Sequence, residues 1–171
     1  MVGEVRERDA AFRGNKMMKN ATVESMVVED SKEPEKPIDR EKTCPLLLRV
    51  FCNTGRHHPL SEYLRGQTPS NELQIYTWMD ATLKELTGLV KEVNLDARRK
   101  GTYFDFAMVY PDLRQQVYRL QDIGSTRSGH RGADDNVTLA SKKFTIGDYL
   151  DIAITPPRSG PLPISRRGRP Y

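Results

Sequence analysis

The stretch Phe144-Thr145-Ile146-Gly147-Asp148-Tyr149-Leu150-Asp151-Ile152-Ala153-Ile154-Thr155 decides the fold. Leu150, Ile152 and Ile154 alternate with Tyr149, Asp151, Ala153 and Thr155, the period-two pattern of a strand with one buried face. Gly147-Asp148 is a turn signal just before it. Upstream, the spacing of Leu139, Phe144 and Ile146 predicts a short helical turn whose apolar residues plug a core. A strand of this kind needs a sheet to close, and the rest of that sheet is upstream in the chain.

Leu46-Leu47-Leu48-Arg49-Val50-Phe51 is a β-rich run after Pro45. A loop follows from Asn53 to Asn71, with Gly55, Pro59, Gly66 and Pro69 as breakers and with Leu60, Tyr63 and Leu64 spaced for one helical turn. Glu72 to Trp78 alternates again. Thr82-Leu83-Lys84-Glu85 has the form of a capping box. Leu83, Leu86, Leu89, Val90 and Val93 then recur at helical spacing, predicting a helix that stops near Val93 or Asn94. Tyr103 to Tyr110 reads as a third strand, and Pro111-Asp112 as a turn. Val117 to Ile123 reads as a fourth strand, and Gly124 to Gly132 as a glycine-serine-arginine loop. One helix after a hairpin covers one face of a mixed sheet, which is the order of the α+β, β-grasp or ubiquitin-like fold.

Composition bounds the rest. At 171 residues there is room for one domain with a real core plus tails. No apolar run approaches a membrane span, and the N-terminus lacks the apolar segment of a signal peptide. Cys44 and Cys52 are the two cysteines, expected to be reduced thiols. Residues 1–41 hold 8 Lys and Arg against 10 Asp and Glu, and residues 157–171 hold 4 Arg and no acid. The positive net charge is therefore largely a property of the C-terminal end, whereas a folded nucleic-acid reader carries its excess on the domain. The expected division is a disordered tail over 1–41, a ubiquitin-like domain over 42–156 and a basic Pro/Arg-rich tail over 157–171. Within the first tail, Val23 and Met26-Val27-Val28 form a short apolar patch.

No constellation reads as a catalytic, cofactor or metal site. His57-His58 with Cys52 falls short of four converging ligands, and adjacent histidines rarely bind one ion. The loop Gly124 to Gly132 is glycine-rich but lacks the Gly-Lys-Ser/Thr ending of a phosphate loop. It reads instead as a mobile basic loop that serves a partner or accepts phosphate on Ser125 or Ser128. Asp134-Asp135 and Asp148/Asp151 are carboxylate pairs without a base or nucleophile beside them. A surface remains. With Leu46, Leu48, Val50, Leu73, Ile75, Phe104, Phe106, Met108, Leu150, Ile152 and Ile154 under the helix, the opposite face shows Leu47, Phe51, Tyr76, Trp78, Val109 and Tyr149. Either the two long loops fold over that face or it binds a protein. A second binding reading gives RNA to Arg127 and Arg131 of the basic loop and to Arg166, Arg167 and Arg169 of the tail, through salt-sensitive attraction.

Three blocks carry a resemblance beyond the fold: Glu35 to Phe51 (EKPIDREKTCPLLLRVF), Asn71 to Thr87 (NELQIYTWMDATLKELT), and Ile146 to Pro157 (IGDYLDIAITPP) with the terminal Arg169-Pro170-Tyr171. Over residues 22–171 the chain resembles the small Sin-three-associated polypeptide family of histone deacetylase complex subunits. The resemblance implies a non-catalytic ubiquitin-like adaptor. Its partners would be the Sin-three histone deacetylase co-repressor and DNA-bound repressors. It would also join Acinus and an RNA-recognition-motif splicing activator in the apoptosis- and splicing-associated complex at exon junction complexes, touching RNA mainly indirectly. Both settings imply the nucleus, including nuclear speckles, with the cytoplasm as a second compartment.

Overall fold

The computed structural model describes residues 36–158. Five strands form one mixed sheet in the order β2-β1-β5-β3-β4. They are β1 (Leu46–Thr54), β2 (Glu72–Thr77), β3 (Tyr103–Asp112), β4 (Val117–Arg127) and β5 (Tyr149–Thr155), and a single helix α1 (Leu83–Val93) lies between β2 and β3 in the chain. β5 is central, parallel to β1 and antiparallel to β3. The alternating C-terminal stretch is thus the strand that joins the two hairpins. The helix covers one face only, and the architecture is the expected ubiquitin-like α+β fold.

Register puts the apolar alternation to use. Val50 lies opposite Leu150, and Phe106 opposite Ile152, so their side chains share the face beneath α1. Leu83, Leu86 and Val90 of the helix close the same core, and Leu48, Val50, Phe104, Leu150 and Ile152 are fully buried. Each such side chain contributes roughly 1.5–3 kcal/mol through removal from water. The helix begins at Thr82, whose hydroxyl accepts from the Glu85 backbone N–H at 3.2 Å. Only that half of the capping box forms. The Glu85 carboxylate turns instead to Arg40, at 2.8 Å.

Several boundaries differ from the sequence reading, each for a reason in the pairing. β4 runs on through Gly124-Ser125-Thr126-Arg127, which pair with Phe106 to Tyr103, so half of the expected loop is strand. A bulge between Phe106 and Ala107 leaves Ile123 unpaired and turns it into the core. Gly124 follows at φ +147, where a Cβ would come within 2.9 Å of Leu83 and 3.1 Å of Asp134. β1 extends to Thr54 because β5 keeps pairing with it that far. β3 continues through Pro111, past its last β5 partner at Val109. Of the three residues expected to plug the core, Leu139 and Phe144 are buried but Ile146 is 69% exposed. The 3-10 turn (Ala140–Lys142) lies between Leu139 and Phe144 and ends at Lys143 in the left-handed conformation, so the helical turn stops before Ile146.

The folded unit also begins before residue 42. Arg40 forms ion pairs with Asp80 and Glu85 at 2.9 and 2.8 Å, and its guanidinium lies 5.0 Å from the Trp78 ring. Val23, Met26-Val27-Val28, Arg166, Arg167 and Arg169 lie outside the described residues.

Candidate functional site

The face opposite α1 is assembled from side chains that alternate away from the core. Its residues do not form one open surface. Phe51 and Val109 are fully buried, because the 53–71 loop folds over them and drives Tyr63 into the sheet. Tyr63 meets Phe51 edge-on at 5.6 Å and stacks on Tyr149 at 5.7 Å, and Tyr118 lies 6.2 Å from Tyr149 and 6.4 Å from Tyr63, so the three tyrosine rings touch one another. Such ring pairs add about 0.5–1.5 kcal/mol each beyond area burial.

The roof is fastened by one carboxylate. Asp151 alternates onto this face and is completely buried. Its Oδ1 lies 2.8 Å from His57 Nδ1, and its Oδ2 lies 2.7 Å from His58 Nδ1 while accepting from the Tyr63 hydroxyl. The His58 backbone N–H also points at it. Burial pushes the Asp151 carboxyl up, but the hydrogen bonds from His57, Tyr63 and His58 together hold it below the ordinary value of 3.8. The bond to Asp151 likewise raises His57, against the effect of burial. Burial, with the nearby Asp151 charge, pushes the Cys52 thiol up to about 12, so it stays protonated at neutral pH. Among the described residues no group of three His, Cys, Asp or Glu is placed to hold a metal ion. The paired histidines are spent on clamping a loop.

Beyond the roof the face is open. Leu47 and Tyr76 lie opposite each other in the β1–β2 pairing and are 37% and 67% exposed. Arg49 borders them. Its guanidinium binds Glu72 with two nitrogens and lies 5.0 Å from the Tyr149 ring, so this strip is apolar with a fixed charged edge. Tyr149 is half-buried between the two halves. Trp78 belongs elsewhere: its Nε1 donates to the Thr43 carbonyl at 2.7 Å, under Arg40. The expected face of six thus resolves into Leu47, Tyr76 and the accessible side of Tyr149 in the open, with Phe51 and Val109 beneath the roof.

The basic residues are likewise divided. Arg127 ends β4 with its guanidinium 4.8 Å from the Tyr103 ring, and Arg131 is exposed in the following turn. Ser128, expected as a phosphate acceptor, is only 4% exposed, and the Ser125 N–H is tied to Asp134. Sequence reasoning took Asp151 as half of a carboxylate pair with no base beside it, whereas His57 and His58 lie against it, and it missed Arg40. Alternation places Asp151 on the face away from the core with Phe51, and nothing in that pattern shows that the loop carrying His57, His58 and Tyr63 buries it there.

Comparisons with known proteins agree with this architecture. The family described as Sin3 associated polypeptide p18 (SAP18) matches residues 37–154, the span of the sheet and helix. The chain is 66% identical over 152 residues to the cattle protein named histone deacetylase complex subunit SAP18, covering 87% of this chain and 99% of that one. It is 64% identical over 151 residues to the fruit-fly protein of the same name, covering 88% and 99%. An Arabidopsis protein of that name is 51% identical over 125 residues, covering 71% and 81%.

Proposed function

The chain belongs to the Sin3 associated polypeptide p18 (SAP18) family, and from that membership we propose that it is a non-catalytic adaptor subunit of a Sin3-type histone deacetylase co-repressor. Its relatives are named as histone deacetylase complex subunits, a name for a component rather than an enzyme. The observation that carries the reading is the open strip of Leu47 and Tyr76 beside a rigid aromatic cluster. A large exposed aromatic held on a strand and bordered by a fixed arginine offers a partner contact area at little entropic cost. In the finer reading the adaptor also links the co-repressor to DNA-bound repressors. It further joins an Acinus-type protein and an RNA-recognition-motif splicing activator at exon junction complexes, acting in the nucleus on transcription and splicing.

The test is a doubly substituted full-length chain, Leu47→Asp with Tyr76→Asp. Both side chains are exposed, so thermal unfolding should stay close to that of the parent. Recovery of Sin3 and deacetylase subunits with the tagged protein should fall by about tenfold or more, the size of a lost interface hot spot. Undiminished recovery by the folded variant removes the strip from the interface.

A further inference from the structure

A different surface, independent of the strip, carries a second site. Lys84, Thr87, Gly88 and Lys91 fall at i, i+3, i+4 and i+7 on α1 and so line one face of the helix. Opposite them stands the turn that follows β4, Arg127 to Arg131, closed by a hydrogen bond from the His130 N–H to the Arg127 carbonyl. Between helix and turn lies a cleft of about 330 Å³. The side chains of Lys84, Lys91 and Arg131 line it against a single carboxylate, Asp135, whereas Arg127 contributes its backbone and turns its guanidinium to Tyr103 on the other face of the sheet. Asp135 is mostly buried, accepts from the Gly132 N–H at 3.0 Å and is 4.0 Å from Lys84. Among the described residues Lys91, Arg127 and Arg131 have no ion-pair partner.

Two further features make this more than a charged patch. Ser128 lines the cleft, is 96% buried by its 4% exposure, and engages Thr102 and Gly101 through its backbone N–H and carbonyl. Its hydroxyl makes no hydrogen bond among the described residues, leaving a donor at the wall of a cationic cleft. Gly88 leaves the helix side open, with nothing within 4 Å of where its Cβ would stand. The charge is also local: a neighbouring concavity beside β4 is lined by Asp105, Asp122 and Asp134.

We propose that this cleft binds a phosphorylated side chain of a partner polypeptide. Three cations exceed what one carboxylate neutralises, and the remaining charge of about +2 matches a phosphoryl group carrying roughly −1.5 to −2 charge with three acceptor oxygens. A nucleic-acid strand is a poorer fit. It needs aromatic faces for its bases, and the Tyr103 ring next to Arg127 is already covered by that guanidinium.

The full-length chain is titrated with a fluorescein-labelled Gly/Ser peptide carrying one phosphoserine. The unphosphorylated peptide, its glutamate counterpart, inorganic phosphate and oligouridylate are run in parallel, and backbone amide NMR shifts locate the contact. The phosphopeptide should bind at least about tenfold more tightly than the unphosphorylated and glutamate peptides, with shifts at Gly88, Ser128 and Gly129. Lys91→Ala with Arg131→Ala should weaken it by about tenfold, the loss of charge-assisted hydrogen bonds. Gly88→Leu, which fills the cleft without changing charge, should do the same. Inorganic phosphate shifting the same amides more weakly supports the peptide as the source of the group. Equal binding of all peptides, shifts elsewhere, tighter binding of oligouridylate, or indifference to both variants overturns the proposal.

Discussion

The two halves of the sheet face opposite the helix make an instructive pair. Both are written in the same alternating strands, and both begin with aromatic or aliphatic side chains pointing away from the core. In one half a loop delivers Tyr63, His57 and His58 onto Asp151, and the face becomes a second small core around Phe51 and Val109. In the other half no loop arrives from among the described residues, and there Leu47 and Tyr76 stay exposed. A buried carboxylate is costly unless donors surround it. Asp151 can lie under the roof because the roof itself brings the donors, whereas Leu47 and Tyr76 are left uncovered by the described residues and are free to meet a partner.

The contrast breaks most visibly at Asp151. Asp151→Ala leaves two histidines and a tyrosine without their acceptor and should cost about 3–5 kcal/mol in urea unfolding, as for other broken buried pairs. Tyr63→Phe keeps the ring packing and removes one hydrogen bond to a charged group, for an expected loss of about 1.5–3 kcal/mol. At the low end, Tyr76→Ala in the open half should change stability by no more than about 0.5 kcal/mol while still weakening co-repressor recovery. A roof-sized loss of stability at Tyr76 would mean that the two halves are not distinct.

In the roofed half pH should act through Asp151 and His57. Asp151 is held below 3.8, so its contribution is complete above that value and lost as pH falls through the depressed pKa. His57 is held above 6.5, so its contribution is complete below that value and lost as pH rises through the raised pKa. Both describe one cluster, and it should be tightest between 3.8 and 6.5. Urea midpoints measured across that range and up to about pH 8 should fall at the alkaline end, and Asp151→Asn should flatten the decline.

Much of the sheet was legible because burial on one side leaves a period-two signal. Leu150, Ile152 and Ile154 announced β5, and the stripe from Leu83 to Val93 announced α1. The end of β4 was not legible, since Gly124-Ser125-Thr126-Arg127 has turn-like composition and becomes a strand only by pairing with β3. Alternation showed which residues leave the core but not what covers them. Phe51 and Leu47 look alike in sequence, and a contact at Tyr63, distant along the chain, separates them. Arg40 was hidden for the same reason: its partners Asp80 and Glu85 lie 40 and 45 residues away.

The central claim is that the open half, and not some other exposed apolar residue, meets the co-repressor. Photo-crosslinking tests it directly, with Tyr76→p-benzoylphenylalanine compared with the same substitution at Leu113 and Ile146, which are 89% and 69% exposed. With the purified Sin3–deacetylase assembly, position 76 should yield a discrete crosslinked species and positions 113 and 146 should not. Crosslinks from 113 or 146 with none from 76 would contradict the account.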